Sequence, residues 1–125
     1  MKENGSLEFG QLPILHWPDG THMAQSHAIL RALGVQYGYY PPSTEPLERW
    51  LVDSTLDAIG DIYEVLAKSF FVGSVADKEA AIDQIMLSKL PMFLEAMDKR
   101  LSGDKRFING HEITIADFAL GSLLL

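Results

Sequence analysis

The sequence contains no cysteine, which excludes disulfides, thiolate metal sites and a cysteine nucleophile. A chain that needs no oxidised pair suits a reducing compartment, so cytoplasmic residence is expected. Positive charge is also scarce: Lys and Arg number 10 against 17 Asp and Glu, for a formal net charge of −7. That balance repels nucleic acid and anionic membrane surfaces, and neither is expected as a partner. The adjoining basic residues Lys99-Arg100 and Lys105-Arg106 form pairs rather than a cluster. No apolar run approaches the ~20 residues of a membrane-spanning helix. The opening Met1-Lys2-Glu3-Asn4-Gly5 lacks the apolar stretch of a secretory signal. Internal repeats and low-complexity tracts are absent as well.

What remains is an ordinary globular balance, 47% hydrophobic and 22% charged over 125 residues. That length supports one modest core and is short for two complete domains. The first ten residues, with Gly5 and Gly10, read as loop. Leu12-Pro13-Ile14-Leu15 reads as a short strand with proline near its start, where a missing N–H is tolerated. Pro18-Asp19-Gly20 is a turn signal, and Thr21-His22-Met23-Ala24 can return as the second arm of a hairpin. Ser26 is placed to cap a helix reaching Tyr37, with Ile29, Leu30 and Leu33 on its apolar face. Gly38 to Glu45, with Pro41-Pro42, is the best linker candidate.

Beyond it the periodicity is helical. Leu47, Leu51, Thr55, Ile59, Ile62 and Leu66 mark one helix from about Pro46. Ile82, Ile85, Met86, Leu90, Phe93, Leu94, Met97 and Leu101 mark another, which Pro91 should bend without ending. Thr114-Ile115-Ala116-Asp117 is a capping-box variant opening a third helix, with Ile113 and Phe118 spaced as a hydrophobic staple.

Several residues invite a chemical reading. His22 and His27 lie five apart across a strand-to-helix change, so they do not form the i, i+4 metal pair of a helix. His16 and His111 have no evident carboxylate partner, and no metal site is expected. Tyr37, Tyr39 and Tyr40 sit at a helix end and linker, where packing between two halves is the simpler role. Trp50, Tyr63, Phe70 and Phe71 can line an apolar pocket or fill core, and core is the simpler reading. Asp53, Asp57 and Asp61 share one helix face, by default a solvated one.

The ordered set Phe9-Gly10-Gln11-Leu12-Pro13-Ile14-Leu15, Asp19-Gly20 and Gln25-Ser26-His27-Ala28-Ile29-Leu30, with Val52-Asp53 and the box at Thr114, resembles the cytosolic glutathione transferase family. Sigma-like members are the nearest in pattern, and the likeness runs from about Leu7 to the end. It implies an α+β protein: part of a thioredoxin-like glutathione-binding domain (β-hairpin plus helix) over residues 1–40, a linker at 41–46, and an all-helical C-terminal domain over 47–125. Both domains are then incomplete, and the chain reads as a family member truncated at both ends.

The resemblance further implies a cis peptide bond before Pro13, which presents the main chain of Leu12 to the cysteinyl part of glutathione. Gln25 and Ser26 receive the γ-glutamyl end, with Ser26 at its carboxylate, and Gln11 contacts the tripeptide backbone. Asp61 reaches across a homodimer toward the partner site's glutathione α-amino group. Gly60 departs from the acidic residue often found there in sigma-like chains.

Glutathione enters as co-substrate, without a metal, and a hydrophobic electrophile as second substrate, in detoxifying conjugation or in glutathione-dependent isomerisation. The hydroxyl or thiol donor that activates the glutathione thiol belongs upstream of Met1 in this scheme, so no catalytic residue is expected here. The alternative is a non-catalytic binding or dimerisation module on the same scaffold.

Overall fold

Pro18-Asp19-Gly20 turns the chain back on itself, Gly20 supplying the positive φ of 90°. In a computed structural model of the protein, which describes residues 8–71 and 73–124, this turn joins β1 (Ile14–His16) to β2 (His22–Ala24). The loop expected over the first seven residues, and Leu125, lie outside the described residues. The strands are antiparallel, with Ile14 opposite Ala24, Leu15 opposite Met23 and His16 opposite His22. Asp19 Oδ1 accepts the Thr21 N–H at 2.8 Å. That amide, followed by the Thr21 hydroxyl, holds the Asp19 carboxyl below the usual range. The first strand begins at Ile14 rather than the expected Leu12, because its pairing is fixed by the turn and Pro13 has no N–H to give the ladder.

Helix α1 (Ser26–Tyr37) follows at once. The expected cap at Ser26 needs correction: Gln25 occupies the cap position, without a side-chain cap bond, and Ser26 is the first helical residue. The Gln25 carbonyl already accepts the Ile29 N–H at 2.9 Å, which starts the helix one residue earlier than the serine suggested. Gly38 ends α1 in the left-handed region, its N–H returning to Gly34 O.

Helix α2 (Pro46–Ser69) opens with proline in its first turn and forms the spine of the molecule. Its buried face carries Val52, Thr55, Leu56, Ile59, Ile62 and Ser69. Thr55, Ile59 and Ile62 of the stripe read in the sequence are thus buried, and Leu51 and Leu66 pack half-buried against the core, while Leu47 at the start is 79% exposed. Phe93, Met97, Ile108, Ile115, Ala116 and Leu120 complete the core around that face. Trp50, Tyr63, Phe70 and Phe71, expected as core, are all exposed, Phe71 at 89%. Trp50 and Tyr63 lie off the buried face of α2, and Phe70 and Phe71 follow its last residue.

The second long helix starts earlier than expected and has three parts: α3 (Val75–Gln84), a π-helical turn (Ile85–Lys89) and α4 (Leu90–Arg100). Ser74 and Asp77 form a reciprocal capping box. The Ser74 N–H donates to Asp77 Oδ2 at 2.9 Å, and the Asp77 N–H to Ser74 Oγ at 3.2 Å. The Ser74 hydroxyl, then its amide, lowers the Asp77 pKa.

The π turn comes immediately before Pro91. Proline removes one i→i−4 bond, and the chain widens locally so that the Leu90 N–H reaches Ile85 O and the Ser88 hydroxyl donates to Gln84 O at 2.6 Å. At the end of α4, Arg100 Nη1 donates to Thr55 Oγ1 at 2.6 Å and Leu51 O at 3.2 Å, tying α4 to α2.

Helix α5 (Ile115–Leu124) packs on α2. Half of the capping box foreseen at its start is formed: the Thr114 N–H donates to Asp117 Oδ2 at 2.8 Å, but the Thr114 hydroxyl donates to the same oxygen at 2.9 Å and the Asp117 N–H goes to Thr114 O at 3.1 Å. The second carboxylate oxygen accepts the N–H of fully buried Ile108 at 2.8 Å, so the cap also pins the preceding loop. Phe118, read as half of a staple, meets Tyr39 edge to face with ring centroids 5.3 Å apart. No helix among the described residues is long and apolar enough to cross a membrane.

Candidate functional site

Local chain geometry creates a corner where the entry to β1 meets the start of α1. The Leu12–Pro13 peptide is cis, and Leu12 is 74% exposed. Directly beside it, Gln25 links β2 to α1 with φ 70° and ψ 108°. A non-glycine residue at positive φ costs roughly 1–3 kcal/mol and persists where its surroundings over-determine it. The N–H groups of Ser26, His27 and Ala28 precede the first bond of α1, at the end where the helix dipole favours an anion.

Gln11, Leu12, Pro13, Gln25 and Ser26 thus line one hollow of about 80 Å³, together with Phe9 and Ala24. The hollow is well below the ~300 Å³ at which drug-sized sites begin, so it suits one part of an extended ligand. Phe9 had no assigned role in the sequence. Its position in the motif was visible, but nothing in its residue type pointed to the corner.

A larger hollow of about 760 Å³ adjoins this one, bounded by the start of α1, the middle of α2 and α5. Gln25 and Ser26 belong to both walls, while Ile59, Tyr63, Phe118 and Ala119 make the larger one mainly apolar. His27 also lines it, and its ring lies against α2 at Gly60. A Cβ at Gly60 would stand 2.9 Å from His27 Cε1. The imidazole of His27 thus occupies the space beside Gly60.

The aspartates of α2 divide into two roles. Arg31 Nε lies 2.6 Å from Asp53 Oδ1, and its Nη2 lies 3.3 Å from Asp57 Oδ1. Tyr40 donates to the second oxygen of Asp53 at 2.8 Å, and the Arg49 guanidinium lies 5.1 Å from the Tyr40 ring centroid. Asp53 is half-buried at a helix–helix contact, which corrects the expectation of a solvated stripe.

Burial tends to lower the Arg31 pKa, but the hydrogen bonds and charges of Asp53 and Asp57 outweigh it and raise the pKa above its ordinary value. Burial first, and then the bond to Asp53, raises the Tyr40 pKa. Asp61 is exposed and makes no hydrogen bond or ion pair among the described residues. Tyr39 and Tyr40 serve as packing residues, and Tyr37 is exposed.

The histidines pair differently from the sequence spacing. His16 and His22 meet edge to face across the hairpin, with centroids 4.4 Å apart, and His27 is turned to α2. Among the described residues no group of three or more His, Asp or Glu side chains is placed to hold a metal ion.

Fold and corner together define a class: a hairpin and helix seated on a helical unit, with a cis-proline residue pair lining one hollow with a helix N-terminus. The chain belongs to the glutathione S-transferase family, whose C-terminal domain model matches residues 60–125. It is 33% identical over 125 residues to glutathione S-transferase A of Cavia porcellus, covering 99% of this chain and 56% of that protein. The hematopoietic prostaglandin D synthase of Gallus gallus is 34% identical over 113 residues, covering 90% and 54% respectively. A solved structure of rat hPGDS complexed with a quinoline superposes with a TM-score of 0.83 at 27% identity, over 98% of this chain and 59% of that one. The chain spans about half the length of the curated relatives it matches.

Proposed function

We propose that this chain holds glutathione in the corner formed by Gln11, Leu12, Pro13, Gln25 and Ser26. The bound thiol would attack electrophilic, largely apolar small molecules. The observation carrying this reading is the convergence of those five residues on a single hollow. Leu12 main-chain groups pair with the cysteinyl portion as an added strand would. Ser26, with the free N–H groups of α1, accepts the γ-glutamyl carboxylate. Gln25 and Gln11 fix the remaining polar atoms of the tripeptide.

The apolar hollow sharing Gln25 and Ser26 is the place for the second substrate. In the reaction the thiolate sulfur forms a bond to the electrophilic carbon, while a leaving group departs or a proton is taken up. Glutathione-dependent isomerisation is retained beside conjugation, because one relative is a prostaglandin D synthase. The domain division 1–40, 41–46 and 47–125, the sigma-like placement, cytoplasmic residence and a homodimer in which Asp61 serves the partner's site belong to the same reading. Thiol activation is assigned to no residue of this chain.

A non-catalytic binding module is the second reading. It is favoured by the corner's lining, in which Ser26 is the only hydroxyl residue among those described. Retention on immobilised glutathione, abolished by Ser26→Ala with folding unchanged, is the expected result for a working corner. Equal retention of wild type and variant would remove the proposal. Conjugation of a chromogenic aryl halide by the chain would instead overturn the assignment of thiol activation elsewhere.

A further inference from the structure

His16 and His22 are six positions apart in the sequence, a spacing that marks no ligand pair on a helix. The hairpin brings them together. They occupy opposed positions at the turn end of the two strands, His16 on β1 and His22 on β2. One position further on, the Trp17 N–H donates to Thr21 O at 2.8 Å. Hydrogen-bonded and non-hydrogen-bonded pairs alternate in an antiparallel ladder, so His16 and His22 form a non-hydrogen-bonded pair, the closer kind. Both are exposed and share one face of the hairpin, while Leu15 and Met23 take the other.

The turn fixes this placement. The Gly20 N–H donates to Trp17 O at 2.9 Å and the Thr21 N–H to Asp19 Oδ1 at 2.8 Å, closing the loop between the two histidines. The imidazole centroids lie 4.4 Å apart at an interplanar angle of 81°. That spacing has a chemical meaning. A divalent ion held by an imidazole nitrogen at ~2.0–2.1 Å lies about 3.2 Å from the ring centroid, so two rings in adjacent coordination positions have centroids about 4.5–5.2 Å apart. Rotation about χ2, a broad torsion in histidine, turns one nitrogen of each ring to a common point without moving the strands.

We propose that His16 and His22 form a two-imidazole site for a late first-row divalent ion, with Cu²⁺ held more tightly than Ni²⁺ or Zn²⁺. Imidazole suits all three ions, and Cu²⁺ stands highest in the general order of affinity. The chain has no cysteine to compete for the ion, and its net charge of −7 favours a cation. No third His, Asp or Glu is grouped with the pair among the described residues, so water completes the shell and the ion exchanges freely. The bound ion ties β1 to β2 beside the turn, while the other ends of these strands adjoin Pro13 and Gln25. It therefore clamps the two arms that build the corner. The site shares no residue with that corner, and ion binding does not rest on the glutathione reading.

Calorimetric titration of the full chain with Cu²⁺, in the absence of glutathione, tests the site. One tightly bound ion per chain is expected, with weaker binding of Ni²⁺ and Zn²⁺ and none of Mg²⁺, which prefers oxygen ligands. His16→Gln and His22→Gln should each weaken Cu²⁺ binding about tenfold or more, since each leaves one imidazole and loses the intramolecular second contact. His111→Gln should bind as wild type. In amide NMR of the wild-type chain, Cu²⁺ should broaden the signals of residues 14–24 first, a readout that stands even where a variant fails to fold. Unchanged affinity in both single variants would overturn the proposal. So would first broadening centred on His27, His111, the acidic residues of α2 or the amino terminus.

Discussion

Arg31 on α1 places its Nε 2.6 Å from Asp53 Oδ1 on α2, and Tyr40 donates to the other oxygen of the same carboxylate at 2.8 Å. One aspartate thus joins α1, the segment after it and α2. Asp53→Ala leaves two half-buried donors without an acceptor and should cost about 2 kcal/mol. That is less than the ~3–5 kcal/mol of a broken buried pair, because both partners are about a third exposed. Tyr40→Phe should cost about 1 kcal/mol. Urea unfolding midpoints at unchanged m-value measure both. A loss for Asp53→Ala under about 0.5 kcal/mol would reduce the pair to an ordinary surface contact.

The same phenol predicts an alkaline dependence. Burial, and then the bond to Asp53, raise the Tyr40 pKa in the folded chain, so folding favours the neutral phenol. Its contribution is complete below the unfolded value of ~10 and is lost as pH rises through the folded one. Wild type should therefore exceed Tyr40→Phe in stability at about pH 8, with the gap narrowing toward about pH 11. A constant gap across that range would contradict the assignment.

Two helical glycines should respond differently to alanine. A Cβ at Gly34 meets Ile115 Cγ2 at 2.7 Å and Tyr40 Cβ at 3.0 Å, atoms near the backbone of packed residues. Overpacking there costs about 1–3 kcal/mol and should outweigh the ~1 kcal/mol gain in helix propensity. At Gly60 the close atom is the far end of the His27 ring, 2.9 Å away, which can swing aside. Gly60→Ala should therefore stay within about 1 kcal/mol of wild type. Thermal unfolding of the two variants in parallel checks the ranking, and equal losses would refute it.

Asp117 accepts from Thr114 twice and from Ile108 once. Asp117→Ala removes a helix cap, worth about 1 kcal/mol, and strands the N–H of a fully buried residue. A total loss of roughly 2–4 kcal/mol is expected. Asp117→Asn, which keeps an acceptor oxygen, should lose less. Denaturant titrations that rank the two variants the other way would show that charge rather than bond count matters there.

Asp61 offers a test of the shared site. Asp61→Asn should reduce retention on immobilised glutathione while leaving the unfolding midpoint unchanged, since its carboxylate has no partner among the described residues. Unaltered retention would mean that this side chain contributes nothing to the ligand.

The corner at Ser26 was legible because it is built from near neighbours. A Leu-Pro before a strand and a Gln-Ser before a helix are brought to one hollow by the short hairpin between them. The left-handed φ of Gln25 was not legible, since no glycine or asparagine announced it. Arg31 and Asp53 lie 22 positions apart, and nothing in their spacing foretold which face of α2 would meet α1.

The residues themselves determined the hairpin, the helical run after Pro46, the box at Thr114 and the exclusion of cysteine chemistry. Each depends on short-range geometry or on composition. Tertiary packing alone decided the exposure of Leu47, Trp50 and Phe71 and the pairing of Asp53. It also decided the widening of the helix before Pro91 and the separation of Asp61 from its neighbours on the stripe. A helix with apolar residues on more than one side can bury any of several faces, and only the elements packed against it select one.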